Sequence, residues 1–258
     1  VDDAELVVMA VPSEALRWIA GQIAGFKGVV VTVTKGIEHR TGLTMSGVLA
    51  ETLPGAGIAA LSGPSLAPEV ARGIPTAVVA ASREAGLASL VQAAFHRPSF
   101  RVYSSGDILG VELGGALKNV IAIAAGVCDG LGFGANSKAA LITRGLVEMS
   151  RLGTACGGRP ETFAGLSGLG DLTVTCFSPL SRNRRFGERL GRGEVVQDIL
   201  RSSTDVVEGH PTARSALLLS QRHGVEAPII REVHAMLFEG KEPRSAVQDL
   251  LGRSSKPE

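Results

Sequence analysis

In Glu5-Leu6-Val7-Val8-Met9-Ala10-Val11-Pro12-Ser13, Leu6 to Val11 is a continuous apolar run closed by a proline and a serine. It shows no polar alternation and is short for a helix, so Leu6 to Val11 reads as a strand buried on both faces. Such a strand needs neighbours of its own kind, and they follow. Val29 to Thr34 is β-branched throughout, and Ile58 to Leu61, Thr76 to Ala80 and Phe100 to Tyr103 are further short strands. Helical segments separate them. Ser13 caps a helix to about Gly25, with Ala15, Leu16, Ile19 and Ile23 on one stripe. Leu43 to Leu53 is stopped by Pro54-Gly55, and Ser65 to Gly73 and Ser82 to Phe95 complete the series. This alternation predicts a doubly wound α/β domain, its sheet mostly parallel with helices on both faces. From Asp107 onward the pattern is helical, with glycine-rich breaks at Gly130 to Gly134, Gly157-Gly158 and Gly165 to Gly170. The expected division is therefore an α/β domain over residues 1–105 and an all-α domain over 106–258. The tail from Ser254 to Glu258 is expected to fray.

Composition narrows the function. Lys plus Arg is 26 and Asp plus Glu is 25, so a net charge of +1 gives no electrostatic reason to expect nucleic acid. Any anion must be bound locally. The three cysteines, Cys128, Cys156 and Cys176, form no CxxC and no even set, which argues for a reducing, cytoplasmic setting and against a disulfide framework or a metal site. No uninterrupted apolar run reaches the length of a membrane span, because Lys118 and Asn119 break the most apolar stretch. Glycine, at 33 residues, is abundant, so backbones can approach each other and a ligand closely.

Four places carry possible chemistry. Lys118 has Gly114, Gly115, Ile121 and Ala122 as its helical neighbours. It is either a lysine snorkelling out of a buried helix or one aimed into a cleft, where desolvation would lower its pKa and suit it to proton exchange with a hydroxyl. In Gly168-Leu169-Gly170-Asp171, Asp171 is either a helix N-cap or a site carboxylate, with Thr175 one turn on. Ser181-Arg182-Asn183-Arg184-Arg185 is either a solvated helix end or a phosphate clamp. Lys35-Gly36 and Ser62-Gly63-Pro64-Ser65 each follow a predicted strand, at the carboxyl ends where open α/β sheets bind ligands. The five histidines are scattered without ligand spacing and read as structural or surface groups.

Taken in order, these motifs form a series. Ala4-Glu5-Leu6-Val7-Val8-Met9-Ala10-Val11-Pro12-Ser13, Thr34-Lys35-Gly36, Leu61-Ser62-Gly63-Pro64-Ser65 and Gly114-Gly115-Ala116-Leu117-Lys118-Asn119-Val120 are followed by Asp129-Gly130-Leu131-Gly132-Phe133-Gly134, Lys138-Ala139-Ala140-Leu141-Ile142-Thr143-Arg144-Gly145, Gly168-Leu169-Gly170-Asp171-Leu172 and Ser181-Arg182-Asn183. From residue 3 to about 250 the chain resembles the bacterial NAD(P)-dependent glycerol-3-phosphate dehydrogenases. The resemblance implies a partial Rossmann domain followed by the all-α domain. It also implies interconversion of dihydroxyacetone phosphate and sn-glycerol 3-phosphate for glycerophospholipid synthesis, with NAD or NADP as cofactor and with a homodimer as one option for assembly. By the same resemblance Lys118 matches the acid/base lysine and Asp171 the site aspartate, with Asn119 and Thr175 in support. Lys35, Gly63, Ser65, Ser181, Arg182 and Asn183 match substrate-binding positions. Lys35, Ala67, Arg182, Val206 and Glu208 match positions near the cofactor.

One departure stands out. The family opens with a strand and a glycine-rich loop for the cofactor pyrophosphate, and no GxGxxG occurs in these 258 residues. The chain opens on Val1-Asp2-Asp3-Ala4 directly before the first strand, so it reads as cut mid-domain, with Leu6 to Val11 as an edge strand and weak cofactor binding expected. Two other readings compete. One is a related dehydrogenase of a hydroxyacid or a pantoate, against which Arg182-Asn183 argues by suiting a phosphate. The other is a non-catalytic substrate-binding or interaction module. The helix carrying Lys118 is expected to be mostly buried, its amine in the groove between the domains near Asp171.

Overall fold

The computed structural model describes residues 1, 3–203 and 205–254; the expected fraying beyond Ser254 lies outside the described residues. Five strands, β1 (Leu6–Met9), β2 (Val29–Thr32), β3 (Gly57–Ser62), β4 (Thr76–Ala81) and β5 (Phe100–Ser105), form one sheet in that spatial order. β1, β2 and β3 are mutually parallel. β4 runs antiparallel to β3 and parallel to β5. The reversal has a length argument. Between β3 and β4 lies only α3 (Ala67–Ala71), a helix of 5 residues. At 1.5 Å per residue it spans about 8 Å, whereas a six-residue strand spans about 20 Å. The whole link of 13 residues between Ser62 and Thr76 is at the short end for a parallel crossover, which needs about a dozen residues or more, and β4 pairs antiparallel with β3.

The other connections carry α1 (Leu16–Gly21), α2 (Met45–Thr52) and α4 (Leu87–Phe95). The first is shorter than the sequence suggests: Ser13–Ala15 is a 3-10 turn, and α1 ends at Gly21. Leu16, Ala20, Met45, Val48 and Leu49 pack with Val30 and Met9 on one face of the sheet, and Leu87 and Val91 pack with Val31 and Ala59 on the other. β1 lies at one edge of the described sheet, with Val8 43% exposed.

Beyond β5 every element is helical. α5 (Ile108–Gly130) is the axis, and α6 (Ala135–Ala155), α7 (Pro160–Phe163), α8 (Asp171–Phe177), α9 (Arg182–Gly191), α10 (Val196–Ser202), α11 (Gly209–Arg222), α12 (Pro228–Phe238) and α13 (Pro243–Leu251) surround it. α5 is the one described helix long and apolar enough to cross a membrane, although Lys118 and Asn119 interrupt its apolar run. Its apolar stretch is 94% buried inside the protein, so that character is spent on the core. α9 lies almost backbone to backbone against it. A Cβ on Gly187 would sit 2.0 Å from the Ile123 carbonyl oxygen, and one on Gly126 1.9 Å from that of Arg184. No other residue type permits that approach, and it brings the start of α9 towards the middle of α5.

Candidate active site

The site forms where the carboxyl ends of β2 and β3 face the middle of α5. Lys35 follows β2 and Ser62-Gly63-Pro64-Ser65 follows β3, so both expected strand-end motifs face the helical domain. Lys118 and Asn119 are buried on α5, at 6% and 3% exposure. Asp171 arrives by an unexpected route. The segment read as a glycine break is a π-helical turn, Leu166–Gly170, that runs directly into α8. Gly170 occupies the cap position, so Asp171 is the first helical residue and not the N-cap. A Cβ on Gly114 would lie 2.6 Å from the Ser167 carbonyl oxygen. The missing side chain therefore lets the π turn press against α5 and set Asp171 beside Lys118.

The result is one carboxylate between two ammonium groups. Lys118 Nζ lies 3.1 Å from Asp171 Oδ1, and Lys35 Nζ lies 2.6 Å from Oδ2. Lys35 also donates to the Gly63 carbonyl at 2.9 Å, and Ser65 Oγ donates to the same oxygen at 3.0 Å. Lys118 donates to Thr175 Oγ1 at 2.7 Å, and Thr175 donates in turn to the Asp171 carbonyl at 2.6 Å. Thr175 thus sits one turn beyond Asp171 on the same face, where sequence spacing puts it.

Burial and charge pull on these groups in opposite directions. Burial pushes Lys118 down, Asp171 pushes it up, and the nearby Lys35 charge pushes it down again, leaving it at about 8. Burial would raise Asp171, but the charges of Lys118 and Lys35 outweigh it and hold the carboxyl below its ordinary value. Desolvation therefore wins at the lysine and ion pairing wins at the aspartate. Lys118 can gain or lose a proton near physiological pH while Asp171 stays ionised.

A second layer lies behind the lysines. Asn183 Nδ2 donates to Asn119 Oδ1 at 3.0 Å, and the Gly209 N–H donates to Asn183 Oδ1 at 2.8 Å. Both ends of the Asn183 amide are occupied, which leaves its backbone N–H as the group open to a ligand. Ser181 is buried and caps α9 by accepting the Arg184 N–H. Of the three arginines, Arg184 binds Asp129 at 2.6 Å and Arg185 binds Asp205 at 2.5 Å. Arg182 is exposed and has no hydrogen bond or ion pair among the described residues. Around Lys35, a groove of about 330 Å³ is lined by Val33, Leu61, Ser65, Ala67 and Val70. Ala67 thus lines the same groove as Lys35. Val206 is 43% exposed, outside the cluster, on the segment leading to Glu208. Glu208 does not reach the lysines either; it binds Ser13, after β1. Sequence reading assigned Ser13 only as a helix cap, although it stands at a strand's carboxyl end like Lys35 and Ser62.

A mostly parallel sheet with helices on both faces, its strand ends facing a buried lysine on a following set of helices, is the architecture of Rossmann-type dinucleotide-dependent oxidoreductases. Family profiles described as NAD-dependent glycerol-3-phosphate dehydrogenase N-terminus and C-terminus match residues 1–88 and 107–248. A glycerol-3-phosphate dehydrogenase [NAD(P)+] of Chlorobium limicola is 51% identical over all of this chain and 79% of its own length. One from Syntrophotalea carbinolica is 52% identical over 98% of this chain and 78% of its own. The crystal structure of glycerol-3-phosphate dehydrogenase from Coxiella burnetii superposes with a TM-score of 0.93 at 40% identity, covering 98% of this chain and 78% of that one. The chain belongs to the NAD-dependent glycerol-3-phosphate dehydrogenase family and is an NAD- or NADP-dependent oxidoreductase.

Proposed function

We propose that the chain interconverts dihydroxyacetone phosphate and sn-glycerol 3-phosphate, with Lys118 as the proton donor and acceptor at the C2 oxygen. Three unpaired cysteines, two of them buried, fit work in the reducing cytoplasm. The observation that carries the reading is the Lys118–Asp171–Lys35 cluster, whose Lys35 also lines the groove beside the ends of β2 and β3.

The residues present fit the nicotinamide end of a dinucleotide. The Lys35 groove opens at the strand ends, Ala67 lines it, and Glu208 and Arg182 bring opposite charges near the start of α11. No GxGxxG occurs in the chain, so no residues here are assigned to the pyrophosphate. When bound, the nicotinamide supplies a hydride to C2, or takes it up in the reverse direction. Lys118 donates its proton to the oxygen on C2 as the carbonyl becomes an alcohol, and accepts it back in the oxidation. Asp171 holds the Lys118 ammonium in place and keeps Lys35 directed at the groove. Arg182 and the uncapped N–H groups of Arg182 and Asn183 at the start of α9 offer a positive end for the substrate phosphate. Among the described residues Arg182 has no ion-pair partner that a phosphate would have to displace.

The test is the pH dependence of initial rates in the two directions. Reduction needs protonated Lys118 and should fall as pH rises through about 8, while oxidation needs the neutral amine and should rise through the same range. Rates that are flat in both directions across that range would remove Lys118 from the proton step.

A further inference from the structure

Glu208 stands at the start of α11, in the helical domain, yet both of its carboxylate oxygens are bound by one residue of the sheet domain. The Ser13 N–H donates to Oε1 at 2.9 Å and Ser13 Oγ donates to Oε2 at 2.5 Å, across 195 residues of sequence. The carboxylate thereby satisfies the backbone donor at the start of the Ser13–Ala15 turn, which has no side-chain cap of its own. The junction is tightly packed. A Cβ on Gly36, just beyond Lys35, would lie 2.4 Å from the Ser13 Cβ and 3.6 Å from Glu208 Oε2.

The next residue in the chain is Gly209, and its N–H holds Asn183, which holds Asn119, which adjoins Lys118. A Cβ on Gly209 would lie 2.6 Å from the Asn119 carbonyl oxygen, so the start of α11 is pressed against α5 at that point. A single peptide unit, Glu208-Gly209, therefore joins a clasp between the domains to the support behind the catalytic lysine.

We propose that Ser13 is a positioning residue for the reaction: by clasping Glu208 it anchors the start of α11, and through Gly209 and Asn183 it holds Asn119 and the α5 segment that carries Lys118. The two hydrogen bonds to the carboxylate are charge-assisted and so stronger than neutral ones. Without the hydroxyl, Glu208 keeps only the backbone donor and the Gly209 N–H loses its fixed direction. The proposal rests on Lys118 being the acid/base group, but its primary readout does not.

Hydrogen–deuterium exchange on the full chain supplies that readout. In Ser13→Ala the Gly209 amide should exchange about tenfold faster, as loss of a hydrogen bond to a charged group implies. The Ile229 and Ile230 amides, held by Glu148 at the far side of the domain, should not change. In turnover assays kcat should fall by about tenfold with the KM for dihydroxyacetone phosphate within about twofold, and Ser13→Thr should restore both exchange and kcat. Unchanged exchange at Gly209 would overturn the proposal. So would an equal rise at Ile229 and Ile230, which would mean general loosening. Faster exchange at Gly209 with unchanged kcat would overturn the positioning role while leaving the assignment of Lys118 intact.

Discussion

Two regions of the helical domain bury carboxylates, and they resolve the same cost in opposite ways. Glu112 on α5 and Glu148 on α6 are 5% and 4% exposed, and among the described residues neither forms an ion pair, the charges of Arg83 and of Arg253 and Arg144 acting on them only as minor influences. Glu112 accepts from the Ser46 N–H at 2.8 Å and from Ser46 Oγ at 2.5 Å, at the start of α2. Glu148 accepts from the Ile229 and Ile230 N–H groups, at the start of α12. Burial dominates in both and raises both carboxyls, Glu148 to about 7. Asp171, 2% exposed, is held low by two ammonium groups. Burial alone therefore does not mark the candidate active site. What marks it is charge gathered where neutral partners would have sufficed, an arrangement that costs desolvation energy and leaves one lysine able to titrate.

The contrast can be broken at its strongest point first. Lys118→Ala should lower kcat by about 10²–10⁴-fold, with the overall fold retained by circular dichroism. Steady-state rates within a few fold of the parent would place proton transfer elsewhere.

Asp171→Asn probes the charge directly. It leaves Lys118 and Lys35 facing a neutral amide, and removing one partner of a buried ion pair destabilises by about 3–5 kcal/mol. The urea midpoint should drop, and the pH at which reduction declines should move below its parent value of about 8, because the raising influence on Lys118 is gone. An unmoved pH profile would show that Asp171 does not set the protonation of the lysine.

Glu148 sharpens the other side. Its carboxyl keeps its proton up to about 7 in the folded chain, against 4.5 without that environment. The folded state thus binds the extra proton between those values. That contribution to stability is fully present below 4.5 and is lost as pH rises through about 7. The loss is on the order of 3 kcal/mol. Glu148→Gln retains an acceptor for the Ile229 N–H and should flatten this part of the stability–pH curve, measured by chemical denaturation from pH 4 to 8. A slope identical to the parent's would mean that Glu148 stays ionised in the folded protein.

Local pattern determined much of this protein. β-branched runs such as Val29 to Thr34 can hardly be anything but buried strands, and the switch after Asp107 to long apolar periods announces helices. The lone Lys118 among glycines and aliphatic residues was legible as a candidate for the same reason, since an isolated charge on an apolar helix face has few uses. So were Lys35 and Ser62 to Ser65, because ligand sites gather at strand ends. Tertiary structure decided the rest. The antiparallel direction of β4 is set by its pairing with β3, which local periodicity does not reveal. The π turn that delivers Asp171 depends on contact with Gly114, whose reach across space no local spacing reveals. Lys35 meets Asp171 across 136 residues, and Ser13 meets Glu208 across 195. Propensity acts over a few residues, whereas these contacts are set by how whole elements pack, so only the folded chain could turn candidate residues into one charged cluster.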